Sequence, residues 1–153
     1  MELKRGSDKS TLDDKGRVNI PVRFREFFQG KLIITRGQER CVWIMTPVLW
    51  ERLEQAENIS EELPQEEWEA FVNKYLSQAE ETELDKAGRI AIPQIIREYA
   101  NLTKDCIVNR DGGRLSIWDK GIWDAYLTEN NPLANAAMNK LGQDIFRVKQ
   151  GKG

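Results

Sequence analysis

The sequence predicts an α+β fold built from two similar halves. A stretch of sixteen residues occurs twice, short apolar runs of strand type follow each copy, and amphipathic helical patterns fill much of the rest. Two copies are too few for a solenoid, so we expect the halves to pack on each other. We place the first half and its linker helices at residues 1–81, and the second half with its C-terminal helix at residues 82–153.

The repeated stretch reads LDDKGRVNIPVRFREF from Leu12 to Phe27 and LDKAGRIAIPQIIREY from Leu84 to Tyr99. The copies lie 72 residues apart, and eight of their sixteen positions are identical. An Asp, a Gly and an Arg recur early in each copy, and an Ile-Pro and an Arg-Glu recur later. This density of identical positions indicates a tandem duplication.

Each copy predicts a strand, a turn, a second strand and a short helix. The aspartate can accept hydrogen bonds from the turn backbone, and Gly16 and Gly88 supply the positive φ that such a turn requires. Alternating residues then form a strand, and a proline ends it and opens a helix. Arg17 and Arg89 are therefore displayed just after the two turns.

The duplication extends beyond the repeated stretch. Residues 32–36 and 41–45 predict a hairpin in the first half, and residues 106–110 and 115–118 predict one in the second. The arginines that end the two leading strands correspond at an offset of 74 residues. Because each half has only short strands, it would hardly bury its own sheet, and interleaving the hairpins of both halves would solve this.

Helical patterns follow the first hairpin. Thr46 and Pro47 predict a capped helix that continues to about Asn58, and Pro64 opens another. The second helix carries an apolar stripe at helical spacing, which we interpret as packing rather than as a ligand site. The stripe consists of Trp68, Phe71, Val72, Tyr75 and Leu76.

The two ends of the chain are predicted separately. Residues 1–11 are polar and basic, so we expect an extended arm. Near the other end, Asp119 can cap one helix, and Asn131 with Pro132 predicts the start of a further, last helix.

The charge is distributed unevenly along the chain. The net charge is −2, which by itself argues against binding to DNA. Residues 1–40 and residues 86–153 each carry a net charge of +4, however, whereas residues 41–85 carry −10. Both motif-bearing regions are therefore locally basic, as a phosphate-binding surface requires. The acidic middle segment is interpreted as a solvated helical surface.

Several classes of function are disfavoured by residue content. The chain has no histidine, which argues against a zinc site and removes the usual Ser-His or Cys-His nucleophile pair. Cys41 and Cys106 lie in apolar runs and are expected to be buried structural thiols. No glycine spacing matches a phosphate-binding loop. We therefore expect no enzyme activity, no metal, no cofactor and no small-molecule substrate.

The hydropathy of the chain indicates where in the cell the protein is expected. No apolar run reaches the roughly 18 residues of a membrane span, and the N-terminus lacks the apolar core of a signal peptide. We therefore expect a cytoplasmic protein without a membrane partner.

The paired motifs resemble those of the MraZ family. Asp13 to Arg17 and Asp85 to Arg89 each form Asp-x-x-x-Arg, and an Ile-Pro and an Arg-Glu follow each pair. Arg5 and the glycine after it also resemble the start of that family. The resemblance covers nearly the whole chain. It implies tandem duplicated SpoVT/AbrB-like halves that form a swapped-hairpin β-barrel flanked by helices.

The resemblance also implies a function. MraZ proteins are bacterial, sequence-specific DNA-binding transcriptional regulators, usually repressors of their own operon in the division and cell-wall gene cluster. The implied partners are double-stranded DNA with short G-rich direct repeats in the promoter, and further copies of the chain in a ring-like homo-oligomer. The implied localisation is cytoplasmic and nucleoid-associated.

The paired arginines have two interpretations. The planar fork of Arg17 or Arg89 can bind guanine bidentately or grip phosphate, with Asp13 or Asp85 holding it in one rotamer. Alternatively, each Asp-Arg pair only stabilises its turn, since exposed ion pairs contribute little. The residues alone leave these alternatives equal, and the resemblance favours the DNA-contact role.

Other basic residues are weaker candidates. Lys15 and Lys86 lie inside the turns beside the arginines, so we expect phosphate contacts there, and Arg5 could add one from the arm. The helical Arg25 and Arg97, each followed by a glutamate, are interpreted as structural ion pairs or subunit contacts.

Two further classes of protein remain alternatives to a regulator. An AbrB-type antitoxin usually has one motif copy and a toxin-binding tail, whereas this chain has two copies and a short tail. An oligomeric scaffold would use the motifs only to fold its turns, and binding to DNA distinguishes it from a regulator.

Overall fold

The structure is a computed structural model that describes residues 3–56 and 63–150, with side chains through residue 147. The chain divides into two compact units, residues 1–120 and residues 121–153. Within the described ranges, no helix combines the length and the apolar character needed to cross a membrane.

Between the two ends of the chain, the elements follow in the order that the sequence predicts. The first are β1 (Arg5–Thr11), β2 (Arg17–Asn19), α1 (Val22–Arg25), β3 (Leu32–Arg36), β4 (Val42–Met45), α2 (Pro47–Glu54) and α3 (Gln65–Phe71), which continues as a π-helical turn (Val72–Leu76). The others are β5 (Glu80–Thr82), β6 (Arg89–Ala91), α4 (Gln94–Tyr99), β7 (Asp105–Asp111), β8 (Arg114–Asp119) and α5 (Lys120–Gln150). Thr46 caps α2 as predicted, and the predicted end of that helix at Asn58 lies outside the described residues.

The strands form two antiparallel sheets. The larger sheet has six strands in the order β1-β7-β8-β4-β3-β5, and the smaller sheet pairs β2 with β6. In the larger sheet the hairpin of the second repeat, β7-β8, lies between β1 and the hairpin of the first repeat, β4-β3, and the smaller sheet joins one strand from each repeat. The α+β class and the interleaving of the hairpins are therefore confirmed. The closed swapped-hairpin barrel is not confirmed, because the six-stranded sheet ends in two open edges, β1 and β5.

The strand register follows the internal repeat. In the smaller sheet Arg17 pairs with Ala91, and their repeat counterparts Arg89 and Asn19 pair with each other. In the larger sheet β1 pairs with β7, and β5 pairs with β3 in the corresponding register. The halves are therefore related by an approximate two-fold axis, and each completes the sheet of the other.

The core lies where the two halves meet. Aliphatic and aromatic side chains from both repeats pack into one buried cluster, which includes Val18, Ile20, Phe24, Phe28, Ile34, Ile44, Ile90, Ile92, Ile96, Leu115 and Ile117. Cys106 belongs to this cluster, and Cys41 is also buried, as predicted; the two thiols are not joined by a disulfide.

The aromatic stripe of α3 packs as predicted. The rings of Trp68 and Phe71 lie 5.4 Å apart, Phe71 and Tyr75 lie 5.5 Å apart, and Tyr75 stacks on Trp43 at 5.5 Å. Thr35 Oγ1 donates to the carbonyl of Tyr75 at 2.5 Å. These contacts fix the linker helix against the larger sheet.

The predictions for the chain ends need two corrections. Residues 5–11 are extended, as predicted, but they form an edge strand rather than an arm, because their backbone pairs with β7 throughout β1. At the other end, α5 is one helix that continues through Pro132 instead of two. A proline lacks one backbone donor, here the one that would bond to the carbonyl of Thr128, and the helix continues on both sides of that position.

Candidate nucleic-acid interface

The first turn is organised by the carboxylate of Asp13. Its Oδ1 accepts hydrogen bonds from the amides of Lys15 and Arg17, each at 2.9 Å, and its Oδ2 accepts from Arg17 Nε at 2.8 Å. The Asp13 amide in turn donates to the Arg17 carbonyl at 2.8 Å. One carboxylate therefore fixes both the turn backbone and the direction of the arginine side chain.

The second turn repeats this arrangement. Asp85 Oδ1 accepts from the amides of Ala87 and Arg89 at 2.9 Å, and Oδ2 accepts from Arg89 Nε at 2.8 Å. The Asp85 amide donates to the Arg89 carbonyl at 2.9 Å. The predicted pairing of the aspartate with the arginine is thus present twice with the same geometry.

These bonds also change the acidity of the carboxyls. The pKa of Asp13 and of Asp85 lies below the ordinary 3.8, chiefly because the backbone amide of Arg17 or Arg89 donates to the carboxylate. The arginine side chain and the second turn amide act in the same direction. Both carboxylates are therefore ionised at neutral pH and can hold a cation.

Both turn glycines are in contact with an arginine of the opposite half. Gly16 and Gly88 have φ +79°, and a Cβ at either position would overlap the guanidinium of Arg97 or Arg25, respectively. Arg25 Nε donates to the carbonyl of Ile20 at 2.7 Å, and Arg97 makes the equivalent bond in its own half. Among the described residues these arginines form none of the predicted ion pairs; they bond to carbonyls and lie against glycine. Sequence reasoning missed this contact between the halves.

The smaller sheet presents Arg17 and Arg89 on one face. The central residue of each strand is fully buried, so the flanking residues point the other way. Arg17 and Arg89 occupy diagonal positions across the strand pair, roughly 7–8 Å apart at their backbones. Their side chains are 27% and 31% exposed. The two halves therefore place their arginines together.

The outer nitrogens of both guanidinium groups remain available. Arg17 and Arg89 are each bonded through Nε to their own aspartate. In the part of the chain that the structure describes, neither has a hydrogen-bond partner at its two terminal nitrogens. Two parallel N–H donors can bind a phosphate or the acceptor edge of guanine. The arrangement therefore offers two oriented forks to an anionic or acceptor-rich ligand.

The turn lysines lie beside these forks but are not equivalent. Lys15 and Lys86 are exposed. Lys15 corresponds to Ala87 in the repeat, and Lys86 corresponds to Asp14. The five residues that begin at Asp13 therefore carry no net charge, whereas the five that correspond in the second turn carry +1. The second turn therefore attracts a phosphate group more strongly than the first.

Arg5 is not brought to this face. It begins β1, and Thr11, at the end near the turn, lies six residues further along the extended strand, about 20 Å away. Its Nε donates to Asp111 at 3.0 Å. The structure therefore brings Arg17, Arg89 and both turn lysines to one region, and places Arg5 at the other end of the larger sheet.

Comparisons with known proteins agree with the duplicated architecture. A family model described as "MraZ protein, putative antitoxin-like" matches residues 3–74 and again residues 75–144. A protein named Transcriptional regulator MraZ from Clavibacter michiganensis subsp. michiganensis is 39% identical over 129 residues, which cover 82% of this chain and 87% of that protein.

Proteins of the same name occur in other bacteria. The protein from Treponema denticola is 37% identical over 142 residues, covering 92% of this chain and 99% of its own length. The protein from Acetivibrio thermocellus is 38% identical over 136 residues, covering 89% and 94%. Two matched halves and relatives that align over most of their length identify the family. The chain belongs to the MraZ family.

Proposed function

We propose that this chain is a DNA-binding transcriptional regulator in which Arg17 and Arg89 contact double-stranded DNA. The observation that carries the proposal is the pair of aspartate-held guanidinium forks on one face of the smaller sheet. The relatives that carry the name Transcriptional regulator MraZ support it. Each half, residues 1–81 and residues 82–153, contributes one fork.

The residues around the forks have separate roles in this proposal. Asp13 and Asp85 hold the arginines, so less side-chain entropy is lost on binding. Gly16 and Gly88 allow the turns that present them. Lys15 and Lys86 contact phosphates, which positions the protein without reading sequence. Arg5 lies too far from the turns to join the same contact.

Affinity in this proposal depends on several copies acting together. A protomer with a net charge of −2 and two forks binds DNA weakly. Linking protomers in a ring-like homo-oligomer makes each further contact intramolecular and raises the overall affinity. Direct repeats in a promoter suit such a ring, because successive protomers then meet the same sequence.

The biological setting that we propose is autoregulation. The protein, in the cytoplasm and associated with the nucleoid, binds short G-rich direct repeats upstream of its own gene. It thereby represses its operon in the cluster of division and cell-wall genes.

Fluorescence anisotropy tests the proposal. DNA from upstream of the gene and a scrambled duplex are titrated with the wild type, Arg17→Ala and Arg89→Ala over a range of salt concentrations. We expect a steep salt dependence, and a loss of about 1–3 kcal/mol of discrimination when a base-reading arginine is removed. Arg23→Ala is the matched control, since Arg23 bonds to Asp8 at 2.6 Å and to the carbonyl of Ser7 at 3.1 Å.

The outcomes separate the alternatives. If both turn variants bind as the wild type does, the Asp-Arg pairs only stabilise the turns. If the wild type does not prefer its own upstream DNA to the scrambled duplex, the regulator proposal fails and the scaffold interpretation replaces it.

A further inference from the structure

A second candidate site lies at the far end of the larger sheet, away from the motif turns. A surface cavity of about 570 Å³ opens between the start of β1, α2 and the turn from β7 to β8. This volume is within the range of small-molecule sites. Its lining includes Lys4, Phe27, Val48, Arg52 and Arg110. The cavity therefore combines apolar walls with three cationic side chains.

Arg110 is the unusual member of this group. It is only 7% exposed, its Cζ lies 4.3 Å from the centre of the Phe27 ring, and its Nε donates to the Gly112 carbonyl at 3.0 Å. Among the described residues no carboxylate pairs with it, because the neighbouring Asp111 is engaged by Arg5 at 3.0 Å and by a second arginine. The described hydrogen bonds give its two terminal nitrogens no partner in the protein, so their N–H donors remain available to an anion in the cavity.

The electrostatics of the lining point to the sign of the ligand. Lys4 and Arg52 add positive charge beside Arg110, and none of the described lining residues is acidic. The ring of Phe27 compensates part of the cost of burying the guanidinium but accepts no hydrogen bond of carboxylate strength. The site is therefore complementary to an anion.

The internal repeat provides a comparison. Arg36, the counterpart of Arg110, lies over the ring of Tyr99 at 5.1 Å. Lys74, from the π-helical turn, lies 5.5 Å from the same ring, which is half-buried. The equivalent ring in the other half, Phe27, is 52% exposed and lines the cavity. The stacked arginine thus occurs twice, and its aromatic partner is exposed in one of the two copies.

We propose that this cavity binds a small organic carboxylate with an apolar body. The carboxylate bonds to the guanidinium of Arg110, with Lys4 and Arg52 adding positive charge around it. The apolar body packs on Phe27 and Val48, both of which are more than half exposed. This site goes beyond binding to DNA and shares no residue with the motif turns.

Isothermal titration calorimetry of the full chain tests the site without DNA. The probe is octanoate, with octanol as the uncharged match and inorganic phosphate as the match without an apolar body. We expect saturable binding of one octanoate per chain with a dissociation constant of roughly 1 mM or below. Octanol and phosphate should bind at least about tenfold more weakly, because octanol lacks the carboxylate and phosphate lacks the apolar body.

Two variants and a control sharpen the test. Val48 is 66% exposed, so Val48→Glu places a competing carboxylate at the cavity without disturbing the core. Arg110→Gln removes the charge, and its thermal unfolding shows whether it is folded. Both should weaken octanoate binding at least about tenfold. Val22→Glu makes the same change at a position that is 75% exposed and outside the cavity lining, and should leave binding unchanged.

Several results would overturn this assignment. They are the absence of saturable octanoate binding, equal affinity for octanol, and unchanged binding by Val48→Glu. Light scattering provides a further result of this kind. If Val48→Glu splits the oligomer while octanoate does not bind, the cavity is a contact between subunits rather than a ligand site.

Discussion

The guanidinium of Arg25 lies against Gly88, a residue of the opposite repeat, and leaves no space for a side chain there. Arg97 lies against Gly16 in the same way. Glycine is therefore needed in each turn for two reasons: the backbone has a positive φ, and an arginine of the other half occupies the space of a side chain. The contact ties the presentation of each aspartate-held fork to the folding of both halves.

The first prediction concerns the stability of the second turn. Gly88→Ala should lower the free energy of unfolding through strain at φ +79° and through displacement of Arg25. The strain costs about 1–2 kcal/mol and the overlap about 1–3 kcal/mol more. Gly30→Ala is the matched control, since Gly30 has φ +76° with nothing within 4 Å of an added Cβ. Urea unfolding of both variants measures the difference.

A double-mutant cycle checks the cause of that difference. Removing the guanidinium with Arg25→Ala should recover the overlap part of the Gly88→Ala loss but not the strain part. Equal losses for Gly88→Ala and Gly30→Ala would show that the arginine moves aside without cost.

The second prediction connects Arg25 with recognition of DNA. Because Arg25 lies against the turn that presents Arg89, Arg25→Ala should loosen that turn and weaken binding to DNA several-fold. The loss should not add to that of Arg89→Ala, since both changes affect one fork. Anisotropy of the two single variants and the double variant measures this. Fully additive losses would mean that Arg25 acts elsewhere.

The third prediction uses the difference between the two turns. Asp14 is exposed at the first turn, at the position where the second turn has Lys86. Asp14→Ala should raise the affinity for DNA a few-fold at low salt, because it removes a negative charge near the fork of Arg17. The gain should shrink as salt is added. Glu51→Ala, an exposed change on α2, serves as the control and should have little effect.

Local chemistry explains which features could be predicted from the sequence. The bond from Arg17 to Asp13 spans four residues, so turn geometry alone indicated it. The contact between Arg25 and Gly88 joins residues 63 apart, and it depends on the register of two strands from different halves. A pattern within a short stretch of sequence cannot predict the register between two strands that are far apart in the chain.

The ends of the chain were only partly predictable for a related reason. The strand Arg5–Thr11 is polar, so its composition indicates an extended arm but not the pairing of its backbone with β7. Asn131 and Pro132 have the sequence pattern of a helix start, yet the long helix continues through Pro132 despite the loss of one backbone bond. In both cases the backbone hydrogen bonds of the strand or helix determined the structure, although the residue types favoured a different one.

The fourth prediction is a dependence of stability on pH. The pKa values of Asp13 and Asp85 lie below 3.8 in the folded chain, so the fold favours the ionised carboxylates. Their contribution is fully present above the unfolded pKa of about 3.9 and is lost as the pH falls through the lower folded values. The double variant Asp13→Asn, Asp85→Asn should therefore be less stable than the wild type at neutral pH.

Urea unfolding at several pH values measures this difference. The gap between wild type and variant should be constant from about pH 7 to pH 5 and should close below about pH 4. A gap that persists unchanged in acid would show that ionisation of the two carboxylates does not contribute.

The fifth prediction concerns the two thiols. Burial raises the pKa of Cys41 to about 12 and that of Cys106 to about 11, and each Sγ donates to a nearby carbonyl. Because the thiolate is the reactive form, both should resist Ellman's reagent at pH 8 in the folded chain and react fully in urea. Cys41→Ala, which leaves the thiol of lower pKa, should react faster than Cys106→Ala. A thiol that reacts within seconds in the native chain would show that the core around it opens to solvent.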